Sequence, residues 1–125
     1  MPIDPTQPYD SSNIFARILR GELPCNKVFE NEWALAFHDI RPQAPVHVLV
    51  IPRGAWVSWD DFTARASTEE IAGFMRAVGE VTRLLGLDKP GYRLMVNMGG
   101  HGHQEVPHVH VHIFGGRQFL HMIVD

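Results

Sequence analysis

His108-Val109-His110-Val111-His112-Ile113-Phe114 alternates imidazole and aliphatic side chains along its length. Neighbours on an extended strand point to opposite faces, so the three histidines share one face and Val109, Val111 and Ile113 the other. The aliphatic face can be buried against a core while the imidazole face lines a site. Same-face residues stand roughly 7 Å apart along a strand, a spacing at which a phosphate-sized group meets two or three rings. Pro107 suits the first residue of such a strand.

Working outward, the strand over His108–Phe114 is preceded by one over Tyr92–Asn97, with the loop from Met98 to Glu105 between them. Val46–Ile51 is almost wholly apolar, rich in β-branched residues and closed by Pro52, as a strand in the middle of a sheet is. Lys27–Glu30 and Trp33–His38 flank the polar Glu30-Asn31-Glu32 and predict a hairpin. Ser11 or Ser12 is placed to cap a short helix running to Arg20, with Ile14, Ile18 and Leu19 on its apolar side and Gly21 as its left-handed stop. Ser67-Thr68-Glu69-Glu70 has the form of a capping box, and Ile71, Phe74, Met75, Val78, Thr82 and Leu85 follow at helical spacing before Gly86. This order predicts an α+β domain: a five-stranded antiparallel sheet with one short N-terminal and one long helix.

The 125 residues fit one domain, with residues 1–10 expected as a flexible leading segment. Eleven lysines and arginines stand against 14 acids without a basic block, which argues against a nucleic-acid polymer as partner. No apolar stretch approaches the ~20 residues that cross a bilayer, and the start has no secretory pattern, so a cytoplasmic protein without membrane contact is expected. Cys25 is the only cysteine, which rules out an intrachain disulfide and Cys-x-x-Cys chemistry; a structural thiol is expected.

His47 lies within Val46-His47-Val48-Leu49-Val50-Ile51, where a buried ring needs a polar partner, and another histidine is the economical one. Three histidines at alternate positions span roughly 14 Å along a strand, whereas zinc holds its ligands near 2 Å. No metal is therefore expected, the alternative being a zinc site of two triad members plus His47. His101 and His103 read as solvated loop residues.

These residues resemble the histidine triad (HIT) family, whose signature is His-φ-His-φ-His-φ-φ with φ apolar. The match is complete from His108 to Phe114. It extends to Ile14-Phe15-Ala16-Arg17-Ile18, Gly21-Glu22-Leu23-Pro24, Phe37-His38-Asp39-Ile40, the run from Pro42 to Pro52, Asn97, Gln104 and Gly115-Gly116-Arg117. Gly115-Gly116-Arg117 after the triad and Pro42-Gln43-Ala44-Pro45 before His47 are similar to the Hint branch of nucleotide-binding proteins rather than the Fhit branch of dinucleoside polyphosphate hydrolases.

The resemblance implies a HIT fold, a homodimer, no cofactor, and hydrolysis of the P–N bond of purine nucleoside 5′-phosphoramidates of AMP or GMP through a nucleotidyl-histidine intermediate. His110 is the implied nucleophile, a role open to neutral imidazole at pH 7, with its other nitrogen held by a backbone carbonyl near His108. His112 is expected to donate to a phosphate oxygen, and His108 with His47 to form a supporting pair that relays a proton to the leaving amine. Asp39 with Ile40 matches the ribose position and Asn97 the ribose-phosphate end. Gln104 is a further nucleotide-binding position, backbone amides around Glu105 and Val106 meet the phosphate, and Phe15, Ile18, Phe37 and Leu49 form the base pocket. Glu105 stands where some members carry a small hydroxyl residue, and the tail after Arg117 is short. Two other readings are dinucleoside polyphosphate hydrolysis and a non-catalytic nucleotide-binding regulatory module; an intact nucleophile argues against the second.

Overall fold

The hairpin of β1 (Lys27–Glu30) and β2 (Ala34–His38) forms where expected. Asn31 closes it, its side-chain oxygen accepting the Trp33 and Ala34 amides at 2.8 and 2.9 Å. β3 (Val46–Pro52) pairs antiparallel with β2 on one side and with β5 (Val111–Gly115) on the other, and β4 (Arg93–Met95) pairs with the far side of β5. The computed structural model describes residues 3–123, and its sheet order is β1-β2-β3-β5-β4. The two C-terminal strands are shorter than the sequence pattern suggests, Tyr92–Asn97 contracting to Arg93–Met95 and His108–Phe114 to a strand that starts at Val111.

Three helices accompany the sheet: α1 (Ile14–Leu19), α2 (Trp59–Arg65) and α3 (Thr68–Leu84). The capping box at the start of α3 forms with Ser67 and Glu70. α1 is capped by Asn13, whose side chain accepts the Ala16 amide at 2.9 Å. Ser12, an expected cap, instead turns its amide and hydroxyl to Asp10, at 2.9 and 2.6 Å. Ile14 and Met75, expected on apolar faces, are 49% and 47% exposed, while Phe15, Ala77 and Val81 are buried. α2 went unanticipated. Its signal is Ser58-x-x-Asp61: Ser58 Oγ accepts the Asp61 amide at 3.1 Å and Asp61 Oδ2 accepts the Val57 amide at 2.9 Å.

β2 and β3 are buried on both faces, which is why Val46–Ile51 reads as a continuous apolar run. On the helical side Ala34, Ala36, Val48, Val50 and Ile113 pack with Phe62, Phe74 and Val81. Small residues allow close approach there, and a Cβ on Gly73 of α3 would come within 2.4 Å of the Trp33 ring. On the other side Leu35, Phe37, Leu49 and Ile51 cluster with Phe15 of α1. Of the leading segment, Met1 and Pro2 lie outside the described residues, and the Ile3 amide donates to the Gln104 carbonyl at 3.3 Å. Among the described residues no helix is long and apolar enough to cross a membrane.

Candidate active site

The register of β3 on β5 sets Leu49 opposite His112 and His47 opposite Phe114. His47 and His112 are thus diagonal neighbours on one face, within reach of each other's side chains, and His47 Nε2 lies 2.9 Å from His112 Nδ1. The expected pairing of His47 with His108 does not form, because that ladder runs His108 toward the opposite end of β3. There the strand pattern itself stops. The Val109 amide donates to the Trp56 carbonyl at 2.9 Å, and the His108 ring bonds the Pro52 carbonyl at 2.8 Å. His108 is consequently 0% exposed and sits behind the site face.

Backbone amides only donate and backbone carbonyls only accept, so these partners assign the proton on each neutral ring. The Gln43 amide donates to His47 Nδ1 at 3.1 Å, which leaves the His47 proton on Nε2, pointing at His112 Nδ1. His112 therefore carries its own proton on Nε2, a buried atom with no hydrogen-bond partner among the described residues. His110 donates from Nδ1 to the His108 carbonyl at 2.8 Å, so its Nε2 keeps a free lone pair. His108 donates from Nε2 to Pro52, and its Nδ1 accepts the Tyr9 hydroxyl at 2.6 Å.

Burial disfavours the charged form of all four rings. It is the main cause that lowers His108 and His112 to about 4, with repulsion from His110 and His47 adding to it at His112. His110 and His47 are lowered by burial too, opposed at His110 by its bond to the His108 carbonyl and by Asp39 and Glu105, and at His47 by Asp39. Between an ordinary value of 6.5 and about 4 the unfolded chain binds protons that folded His108 and His112 do not. Stability is therefore complete above that window and declines as pH falls through it, by up to about 1.4 kcal/mol per pH unit for each ring. Thermal melts stepped from about pH 7 to about pH 5, above most carboxylate titration, are expected to show a falling Tm; a flat profile would contradict the buried neutral rings.

His47, His110, His112, Asp39, Ile40, Asn97, Glu105, Val106, Phe15, Ile18, Phe37 and Leu49 line one cleft of about 530 Å³, within the range of small-molecule sites. His108 is not among the lining residues, and neither is Gln104. Gln104 is 1% exposed and committed to backbone, donating to the Val57 and Val106 carbonyls at 2.7 and 3.0 Å and accepting the Gly99 amide at 3.0 Å. It braces the loop and has no group left for a ligand. Asp39 is both a turn residue and a cleft residue: Oδ1 accepts the Arg41 amide at 2.8 Å and Oδ2 lies 3.4 Å from His47 Nε2.

Sequence reading gave no role to Gln43, whose backbone amide sets the His47 tautomer although the residue stands in the Pro42–Pro45 motif, nor to Tyr9, which lies outside every such motif. His103, expected to be solvated, is exposed as expected, yet it also lines the cleft and pairs with Glu105 at 2.7 Å. Ligand atoms of Asp39, His47 and His112 lie within 4.8 Å of one another. A cation there would need the lone pair of His47 Nε2, the nitrogen that carries the proton because Nδ1 accepts the Gln43 amide. The donor set as arranged does not fit a metal.

An antiparallel α+β domain whose cleft is walled by apolar side chains and floored by hydrogen-bonded imidazoles is the class of protein this geometry defines. The HIT domain pattern matches residues 20–119, and the chain belongs to the HIT family. An uncharacterised HIT-like protein of Azospirillum brasilense is 63% identical over 115 residues, covering 92% of this chain and 94% of that one. Among solved structures, a HIT family hydrolase from Legionella pneumophila superposes with a TM-score of 0.78 at 40% identity, covering 84% of this chain and 93% of that one. A histidine triad nucleotide-binding protein from Candida albicans does so with a TM-score of 0.73 at 30% identity, covering 91% and 87%.

Proposed function

We propose that the chain is a purine nucleoside phosphoramidase of the Hint type, hydrolysing the P–N bond of nucleoside 5′-phosphoramidates. One observation carries the reading: two rings that line one cleft differ in chemistry, His110 with a bare Nε2 and His112 with a buried Nε2–H that has no partner among the described residues. The first suits attack on phosphorus and the second suits a phosphate oxygen on which charge develops. Phe15, Ile18, Phe37 and Leu49 offer an apolar wall for a purine, and Asp39 offers acceptor oxygens for ribose hydroxyls. The Legionella hydrolase and the Candida nucleotide-binding protein lend support as relatives of the same fold.

In this mechanism His110 Nε2 bonds to phosphorus as the bond to the amine breaks, and the amine leaves with a proton taken from solvent at the open cleft. Water then attacks phosphorus and gives up a proton to solvent, the bond to His110 breaks with the electron pair returning to Nε2, and the nucleoside monophosphate departs. A relay through His108 finds no support, since its ring proton is tied to Pro52. A cytoplasmic homodimer is part of the proposal. Tyr92, just before the edge strand β4, and Leu94 and Met95 within it expose 42%, 44% and 38% of their surface, apolar area at a sheet edge suited to a second copy, and the single thiol of Cys25 is free.

Two displacements at one phosphorus restore its configuration. A phosphoramidate chiral at phosphorus is therefore expected to give product with overall retention, and quenching during turnover to trap a nucleotidyl group on the peptide that contains His110. Net inversion would replace the double displacement by direct attack of water. Adenosine phosphoramidate and diadenosine tetraphosphate assayed side by side decide the substrate class, with preference for the tetraphosphate overturning the phosphoramidase reading.

A further inference from the structure

His110 is aimed by one hydrogen bond, from its Nδ1 to the carbonyl of His108. That carbonyl belongs to a segment the sheet does not hold, because the β3–β5 ladder stops at the pair Val50 and Val111. The peptide unit that carries the carbonyl is held from one side by the Val109 amide, which donates to the Trp56 carbonyl at 2.9 Å, and residue 108 is held from the other by its own side chain. The ring is 0% exposed, with Nε2 donating to the Pro52 carbonyl at 2.8 Å and Nδ1 accepting the Tyr9 hydroxyl at 2.6 Å.

We propose that Tyr9 is a positioning residue for the nucleophile, its phenol locking the tautomer and seat of His108 so that the His108 carbonyl holds His110 in place for attack. The proposal rests on the role given to His110 above. Both ends of the His108 ring are determined. Moving its proton to Nδ1 would set the Nε2 lone pair against the lone pairs of the Pro52 carbonyl and leave the Tyr9 hydroxyl facing a donor. Removing the hydroxyl would leave Nδ1 of a ring that is 0% exposed without the partner it has now.

Tyr9 is itself well placed to hold the ring. It meets His108 edge to face, ring centroids 5.6 Å apart at 68°. It directly precedes a turn in which the Asp10 carboxylate accepts from Ser12 and the Asp10 carbonyl from the Asn13 amide and side chain, at 3.2 and 2.8 Å. Phe15, at the start of α1 beyond that turn, stands edge-on to both His108 and His110, at 6.3 and 5.0 Å. The N-terminal segment and α1 thus form one wall against the triad. Tyr9 lies before residues 20–119, the part matched by the HIT domain pattern, so the family assignment does not cover it.

Tyr9→Phe keeps the ring contacts and removes only the hydroxyl. With a nucleoside phosphoramidate as substrate, kcat is expected to fall about tenfold, the size of effect a small misplacement of a nucleophile produces, while KM stays within about twofold. Protein labelled with nitrogen-15 at histidine gives a second readout without substrate. The unprotonated Nδ1 of His108 is expected to move toward the resonance of a bare imine nitrogen, and the Nδ1 proton of His110 to exchange faster with solvent. Wild-type kcat together with unchanged His108 and His110 signals would overturn the proposal, as would a fall in kcat with both signals unchanged. If the wild-type protein turned over no phosphoramidate, the phosphoramidase reading would fall while the resonances still decided whether Tyr9 holds the two rings.

Discussion

Replacing His110 with alanine is expected to lower turnover by roughly 10⁴-fold or more while leaving nucleotide affinity within about tenfold. The split follows from where the ring sits. His110 is 7% exposed and contributes one nitrogen to the cleft, whereas the apolar wall and Asp39 that would hold base and ribose belong to other elements. Loss of the ring removes the atom that forms the covalent bond and little of the surface that binds. Single-turnover rates and nucleoside monophosphate affinity, measured on the same preparation, check both halves. Turnover retained in the alanine variant would take the nucleophile away from His110.

His112→Ala is expected to cost about 10²- to 10³-fold in kcat, the scale on which one donor to a developing oxyanion contributes. Its Nε2–H is buried and unpartnered, a cost to the folded protein that a phosphate oxygen would relieve. The donor is aimed from behind, since the His47 proton engages His112 Nδ1 and the Gln43 amide engages His47 Nδ1. His112→Gln, which can accept from His47 and still donate, is expected to recover part of the loss. A His112→Ala variant within tenfold of wild type in kcat but with weakened nucleotide affinity would make His112 a binding residue only.

The fold was legible wherever side-chain period and cap chemistry acted locally. The β1–β2 hairpin, the central β3 run and the Ser67 box at α3 could be read directly, because each is decided by residues a few positions apart. α2 escaped because its seven residues carry too short an apolar stripe, although Ser58 and Asp61 announced its start. At the site, the cleft assembled twelve of the fourteen expected side chains. The pairing of the rings was the illegible part. Which imidazole meets His47 depends on the register of β3 against β5, a relation between segments about 65 residues apart that no local pattern encodes. Tyr9, 99 residues from His108, was hidden for the same reason. Gln104 shows the converse: a polar residue in a motif-like place whose amide is wholly spent on backbone.

β5 ends at Gly115, and the chain turns at Gly116 with a φ of +88°, a left-handed conformation that favours glycine. A Cβ on Gly116 would come within 2.7 Å of the Pro45 Cβ, and one on Gly115 within 2.7 Å of a Leu87 methyl that is itself packed in the core. Gly116 is demanded by a tight turn against the start of β3 and Gly115 by the close approach of Leu87, both remote in kind from bond-making at phosphorus. The signature that runs from His108 to Arg117 is therefore two messages spliced together, one about backbone shape and one about reactivity, and they can be inherited separately. A chain with both glycines and another residue at position 110 would be a sound scaffold without its nucleophile, so sorting sequences into enzymes and binders calls for reading that single histidine ahead of the glycines.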